Sequence, residues 1–242
     1  MPPRKKPATS ADSTDPGTEA VNWETVWRED QFNSLPLGSY VARLAKFDPD
    51  FTANWYVAWK ADEANSLSFP DYLARLAGYR APFLAEWYHP WVDDEASALS
   101  YPDYLARLDE YGTNFLQTWY QPWTSDRAGT RCFPDYLQAL ARHDDRTRAD
   151  WYSVWVNDTR NGLSYPDFLD RLTSFDADFR TEWHPVWSHD DAHSLSYLDY
   201  LERIAPFDAR YRLDCHDLWL RERSQRVTSL SFPDFLNARV VG

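Results

Sequence analysis

The sequence has little of what marks several common protein classes. It contains seven Gly and two Cys in 242 residues. No run approaches the 18 consecutive apolar residues of a transmembrane helix. The opening Met-Pro-Pro-Arg-Lys-Lys-Pro is not followed by the apolar segment of a secretory signal. Cys132 and Cys215 are too few for a disulfide framework, so we expect reduced thiols in a cytoplasmic protein that does not associate with membranes.

Basic charge is also scarce. The chain has 25 Lys and Arg against 38 Asp and Glu, which gives a net charge of −13. Because phosphate binding requires clustered basic residues, direct nucleic acid binding is not expected. Apolar residues make up 43% of the chain, which is enough to form a core.

Tryptophan is abundant, and all thirteen Trp residues follow one period of 32 residues. One series opens each repeat and a second lies four residues later, while Cys215 takes the place of the seventh Trp of the first series. The first series is Trp23, Trp55, Trp87, Trp119, Trp151 and Trp183, and the second is Trp27, Trp59, Trp91, Trp123, Trp155, Trp187 and Trp219. The spacing predicts seven repeats that start near residues 23, 55, 87, 119, 151, 183 and 215.

A second motif recurs in phase with the tryptophans. Its clearest copy is Ser-Leu-Ser-Phe-Pro-Asp-Tyr-Leu-Ala-Arg-Leu at 66–76. Within it, Phe69, Tyr72, Leu73 and Leu76 have the i, i+3, i+4, i+7 spacing of an amphipathic helix. The residues around each Trp pair give another helical stripe. Each repeat is therefore predicted to contain two helices, a tight turn with an Asp cap and a longer polar loop.

These patterns predict an all-α protein, an α-solenoid of seven tandem 32-residue helix-pair repeats over 21–242, preceded by a disordered tail at 1–20. No alternating run indicates a strand. Helices this short are marginal alone, so stacking between repeats must stabilise them. Pro90 and Pro122 each precede a Trp and are expected to end or kink their helices.

The Ser and Asp of the second motif match a capping box at the start of a helix. Ser68 and Asp71 are the clearest pair. Arg75, four residues after Asp71, predicts an ion pair within the same helix, and similar pairs recur in other repeats. This interpretation assigns the motif to the fold.

An acidic residue follows the second Trp of every repeat by three positions. An acid after a helix C-terminus is unfavourable for the helix dipole, so a compensating contact is expected. We expect either an ion pair with a helix Arg or a turn, or else a ladder of carboxylates that faces a basic partner or cations. The ladder comprises Asp30, Asp62, Asp94, Asp126, Asp158, Asp190 and Glu222.

An aromatic residue directly follows the first Trp in most repeats. It lies about one hundred degrees away from the Trp stripe of the helix. The side chains either pack on the next repeat or form an exposed contact strip for a partner. They are Tyr56, Tyr88, Tyr120 and Tyr152, with His184 and His216 in later repeats.

Two features raise the possibility of a cation site. The loop and helix at 60–73 faintly resemble the second half of an EF-hand, but the acids and the Gly that the calcium loop needs are missing. His189, Asp190 and His193 lie close together in sequence and are residue types that bind zinc. A solvated polar loop explains the same residues.

The sequence therefore favours a non-catalytic repeat protein, a binding or scaffold module that presents an acidic surface to a basic protein or peptide. No Gly-rich phosphate loop, nucleophile elbow or catalytic Cys/His pattern is present, and we expect no cofactor. One alternative is a Ca²⁺ or Zn²⁺ protein that uses the loop carboxylates or His189 and His193. Another is a purely structural or self-assembling array.

Overall fold

The structure is a computed structural model, and it describes residues 21–240. This part of the chain contains fourteen helices and no strand. Helices that carry the Trp pair alternate with shorter helices of eight or nine residues, except that the first Trp-bearing helix has only seven residues. Successive helices of each pair contact each other in the same way. The predicted all-α helix-pair repeat of the α-solenoid class is confirmed. The predicted tail at 1–20 lies outside the described residues.

The helices are numbered α1 to α14 in chain order. The Trp-bearing helices, in the last of which Cys215 replaces the first Trp of the pair, are α1 (Trp23–Glu29), α3 (Pro49–Ala61), α5 (Ala81–Asp93), α7 (Thr113–Ser125), α9 (Asp145–Asn157), α11 (Ala177–His189) and α13 (Ala209–Ser224). The shorter helices are α2 (Leu37–Leu44), α4 (Phe69–Leu76), α6 (Tyr101–Leu108), α8 (Phe133–Leu140), α10 (Tyr165–Leu172), α12 (Tyr197–Ile204) and α14 (Phe232–Val240).

The short helices begin at the predicted capping box. In α4, Ser68 Oγ accepts from the Asp71 N–H at 3.4 Å and donates to Asp71 Oδ2 at 2.6 Å. Phe69 and Pro70 are the first two helical residues, where a missing proline N–H costs the helix nothing. The same Ser–Asp pair starts α6, α10, α12 and α14.

Aspartate caps several of the Trp-bearing helices, as predicted. Asp48 Oδ1 accepts from the N–H groups of Asp50 and Phe51 at 2.9 and 3.2 Å. Pro90 and Pro122 were predicted to end or kink their helices, and neither proline ends its helix. Both lie within 13-residue helices that are as long as α3, because each proline stands in the last turn and removes only one hydrogen bond there.

The described contacts divide the chain into two compact units. The first holds residues 21–121 with 130–135, and the second holds 122–129 with 136–240. In the first unit α2 contacts α4 and α4 contacts α6; in the second α10 contacts α12 and α12 contacts α14. The short helices of neighbouring repeats thus stack directly within each unit.

The two Trp series make different contacts, and both are structural. Trp59 donates from Nε1 to the Leu67 carbonyl at 3.1 Å, which fastens the loop onto its own repeat. Trp55 stacks on Tyr101 of the next repeat, with ring centroids 5.4 Å apart and planes at 22°. These two contacts recur along the chain, so the tryptophans join loop to helix and repeat to repeat.

The predicted Asp–Arg pairs within one helix are wrong. Arg43 instead meets Asp71 of the next short helix at 2.5 Å, and Arg75 meets Asp103 in the same way. The reason is geometric: stacking brings the end of one short helix beside the start of its neighbour. These exposed ion pairs therefore link repeats.

Candidate functional site

The acidic ladder lies inside the protein, contrary to its predicted exposed edge. All six aspartates are buried, and Asp94 is only 1% exposed. The aspartate caps the end of a Trp-bearing helix, and its side chain turns inward under the loop that follows. The six are Asp30, Asp62, Asp94, Asp126, Asp158 and Asp190.

Each buried aspartate joins consecutive repeats through one oxygen. Asp94 Oδ2 accepts from the backbone N–H of Phe133 at 2.8 Å and from the Tyr104 hydroxyl at 3.2 Å. Phe133 is the first residue of α8, whose N–H has no partner within its own helix. The carboxylate therefore satisfies a helix start in the next repeat, 39 residues along the chain.

The same contact is repeated with almost constant geometry. The Oδ2 atom of each aspartate lies 2.8 Å from the N–H nitrogen of the first residue of the short helix in the following repeat. The pairs are Asp30 with Phe69, Asp62 with Tyr101, Asp126 with Tyr165, Asp158 with Tyr197, and Asp190 with Phe232. The bond to the next repeat was not predicted, whereas the predicted turn is present: the Oδ1 atoms of Asp30, Asp126, Asp158 and Asp190 accept from the N–H two residues later.

Burial shifts the ionisation of these carboxyl groups. Desolvation raises the pKa of Asp94 to about 6, although the Phe133 N–H and the Tyr104 hydroxyl oppose the shift. Desolvation also raises the pKa of Asp126 and of Asp158 above the usual range. The ladder therefore serves the fold, and its aspartates cannot present charge to a partner.

Glu222 occupies the ladder position in the last repeat and differs from the aspartates. It is half-buried and pairs with Arg239 of α14. Asp190, one repeat earlier, accepts from Phe232 and also meets Arg223 Nη1 at 2.8 Å. Glu222 thus pairs within its own repeat, whereas each ladder aspartate bonds to the repeat that follows.

The tyrosines after the first Trp series pack between repeats. Tyr56 is half-buried, with its ring edge-on to Trp23 at 6.3 Å and to Phe69 at 5.5 Å. Tyr88 and Tyr120 pack in the same manner, and Tyr152 contacts Tyr165 at 5.3 Å. Of the two alternatives, the structure supports packing, and the exposed contact strip is not formed.

The predicted zinc ligands are not brought together. His193 Nε2 lies 2.9 Å from the Trp187 carbonyl, and its Nδ1 accepts from the Leu195 N–H at 3.2 Å. Both ring nitrogens thus bond to the backbone, much as the Asn161 amide does in another loop. His189 is exposed, whereas Asp190 is buried. Within 21–240, no three His, Cys, Asp or Glu side chains could hold a metal ion together.

Exposed acidic charge lies elsewhere, and its balance with basic charge differs between the two compact units. In the described chain, the first compact unit contains sixteen acidic and eight basic residues, and the second contains nineteen and fourteen. Ten acidic residues of the first unit are exposed: Glu24, Glu29, Asp48, Asp50, Glu63, Glu86, Asp93, Glu95, Asp109 and Glu110. Some recur between repeats, such as Glu63 and Glu95, but none belongs to the ladder that was predicted as the acidic surface.

No protein-family model, curated protein or solved structure matches this chain. None of the described helices has the length and apolar character needed to cross a membrane.

Proposed function

We propose that the protein is a non-catalytic binding module that engages a basic protein or peptide through the exposed acids of its first compact unit. The observation that carries the proposal is that ten exposed acidic residues stand against five exposed basic residues in this unit, whereas twelve stand against nine in the second unit. The buried ladder aspartates are committed to the fold. A surface with an excess of one charge attracts an oppositely charged partner over distances near the Debye length.

The recurring residues support a binding role by exclusion. The Trp pairs, the Ser–Asp caps and the ladder aspartates all have partners within the repeats. The surface that remains for recognition consists of exposed charged side chains outside these three sets. In stacked repeat proteins such surfaces are extended and suit protein or peptide ligands.

The test is the salt dependence of binding to an arginine-rich peptide, followed by fluorescence anisotropy with the full chain. We expect affinity to fall steeply as salt rises. Replacing Glu63→Gln together with Asp93→Asn should weaken binding, because both acids are exposed in the first unit. The matched control is Asp178→Asn with Asp217→Asn, two exposed acids of the second unit.

Equal loss in both double variants would show that net charge alone acts and that the first unit is not the site. No binding to the peptide at low salt would overturn the proposed function.

A further inference from the structure

An open apolar groove lies between α3 and α5 in the first compact unit. Its volume is about 530 Å³. Ala58 and Leu84, both buried, form its floor, and the half-buried rings of Trp55 and Tyr88 line it. This volume is within the range of sites that hold a ligand or an inserted side chain.

The repeats of the second unit show what fills the same place. The position of Leu84 is occupied by Arg180 in α11, 96 residues later in the chain. The Arg180 guanidinium carbon lies 5.9 Å from the ring centroid of Trp151, which corresponds to Trp55. An arginine on the protein's own helix thus lies beside the equivalent tryptophan ring.

One repeat further, the same arrangement recurs between α11 and α13. Arg212 lies 4.6 Å from the Phe179 ring and 5.9 Å from the Trp183 ring. Partial burial lowers the pKa of the Arg212 guanidinium, and the negative charges of Glu182 and Asp208 oppose this shift. At two positions equivalent to Leu84, an arginine therefore lies against aromatic rings.

We propose that the groove between α3 and α5 receives an arginine side chain from the basic partner, in the place that Arg180 occupies between α9 and α11. This inference rests on the proposed function and specifies its contact. The apolar stem of the arginine would cover Ala58 and Leu84, and its guanidinium would lie over Trp55.

Charge and geometry both favour arginine over an apolar side chain. The groove belongs to the more acidic compact unit, so a cation is drawn toward it. A guanidinium stacks on a Trp face and is weakly hydrated, which suits a half-open aromatic groove. Asn54 at the rim offers an amide oxygen as an acceptor; the equivalent positions in the second unit hold Asp150 and Glu182.

The test uses the full chain labelled with 5-fluorotryptophan and followed by fluorine NMR. The Trp55 resonance is assigned from its absence in Trp55→Phe. The probe is the blocked tripeptide Ser-Arg-Ser at millimolar concentration, and its control replaces arginine with uncharged citrulline. We expect the arginine peptide to shift the Trp55 resonance selectively and the citrulline peptide to shift it much less.

Two variants interchange the leucine and the arginine that occupy the same repeat position in the two compact units. Leu84→Arg places an arginine where Arg180 stands in α11, so it should fill the groove and abolish the shift of Trp55. Arg180→Leu should open the groove between α9 and α11 and make Trp151 respond to the peptide. Because the two variants change different units, failure of one to fold leaves the other decisive.

A third variant adjusts affinity without closing the groove. Asn54→Asp restores an acid at the rim and should tighten arginine binding roughly threefold, as expected for a partly exposed ion pair. Unchanged affinity in this variant would count against a guanidinium at the rim.

The outcomes separate this inference from the proposed function. If Leu84→Arg keeps the salt-dependent binding of the arginine-rich peptide and the Trp55 response, the groove is not the contact, although the acidic surface still binds. Equal shifts with citrulline would show an apolar pocket without preference for the cation and would overturn the arginine assignment. Loss of all peptide binding at low salt would remove the proposed function itself.

Discussion

Asp94 shows how one carboxylate can serve two repeats. Its oxygen accepts from the first N–H of α8 and from Tyr104, so its removal leaves two donors without an acceptor. Burying an unsatisfied polar group costs about 1–3 kcal/mol. The buried charge has its own desolvation cost, which is seen in the raised pKa of Asp94.

We expect Asp94→Ala to lower the free energy of unfolding by about 2 kcal/mol, because both donors lose their acceptor. Asp94→Asn should cost less than about 1 kcal/mol, since the amide oxygen still accepts from Phe133. Urea unfolding of the full chain measures both values. Asp93→Asn, at the exposed neighbouring position, should change stability by no more than about 0.5 kcal/mol. Equal losses in Asp94→Ala and Asp94→Asn would refute the role of the hydrogen bonds.

The raised pKa of Asp94 predicts a pH dependence of stability. Its pKa is about 6 in the fold against 3.8 for a free carboxyl, so the folded state binds the proton more tightly than the unfolded chain. This contribution is fully present below pH 3.8 and is lost as pH rises through 6. Each unit of pKa difference corresponds to about 1.4 kcal/mol.

Melting temperatures between pH 8 and pH 5 test this effect. The wild-type chain should gain more stability on acidification than Asp94→Asn, which cannot take up the proton. Parallel curves for the two proteins would contradict the assignment, because relief of general acidic repulsion is common to both.

At the scale of helices, sequence reasoning predicted the elements better than their contacts. The Trp period and the stripe through Phe69 and Leu73 predicted the helix pairs, because local periodicity reflects which face is buried. The partner of Arg75 was missed, since a sequence shows i,i+4 neighbours and not which helix ends stack together. The buried role of the ladder could have been suspected from Asp126, which is kept in the repeat where Ala139 replaces the arginine.

The exposed pair of Arg75 with Asp103 should contribute little to stability. Both side chains are about half exposed, and such pairs are typically worth 0–1 kcal/mol. Arg75→Ala should therefore lower the free energy of unfolding by less than about 1 kcal/mol, and by less still at high salt. A double-mutant cycle with Asp103→Ala isolates the pair. A coupling above about 2 kcal/mol would mean that the pair is stronger than its exposure implies.

At the scale of the whole molecule, the residues that join repeats change in the first and last repeats. Ser39 occupies the repeat position at which Asp71 pairs with Arg43. Ala238 occupies the position at which Arg75 pairs with Asp103. Arg239 replaces the leucine that is fully buried as Leu76. The first repeat therefore lacks the aspartate, and the last repeat lacks the arginine and the leucine, that link neighbouring repeats elsewhere in the chain.

We expect these replacements to oppose head-to-tail association of copies. The combination Ala238→Arg, Arg239→Leu and Ser39→Asp restores the linking residues and should promote concentration-dependent association. Sedimentation velocity over a range of concentrations compares this variant with wild type. Association of wild type that exceeds that of the variant would instead support the self-assembling alternative.

The bond between Asp94 and Phe133 also bears on chain length. Asp190 reaches Phe232 over 42 residues at the same 2.8 Å, although the other links span 39. The intervening loop therefore does not set the contact; the stacked repeat does. A repeat is consequently a replaceable part of the protein, provided that whole periods are exchanged.

Deletion of residues 87–118 would place Asp62 beside the N–H of Phe133 and Trp55 beside the Phe133 ring. In the full chain, Asp94 and Trp87 make these two contacts. We expect this shortened chain to remain helical and to unfold cooperatively, as circular dichroism would show, while deletion of 87–102 should not fold. Such a protein can be lengthened or shortened in steps of 32 residues by insertion or deletion of gene segments, without redesign of the residues that remain.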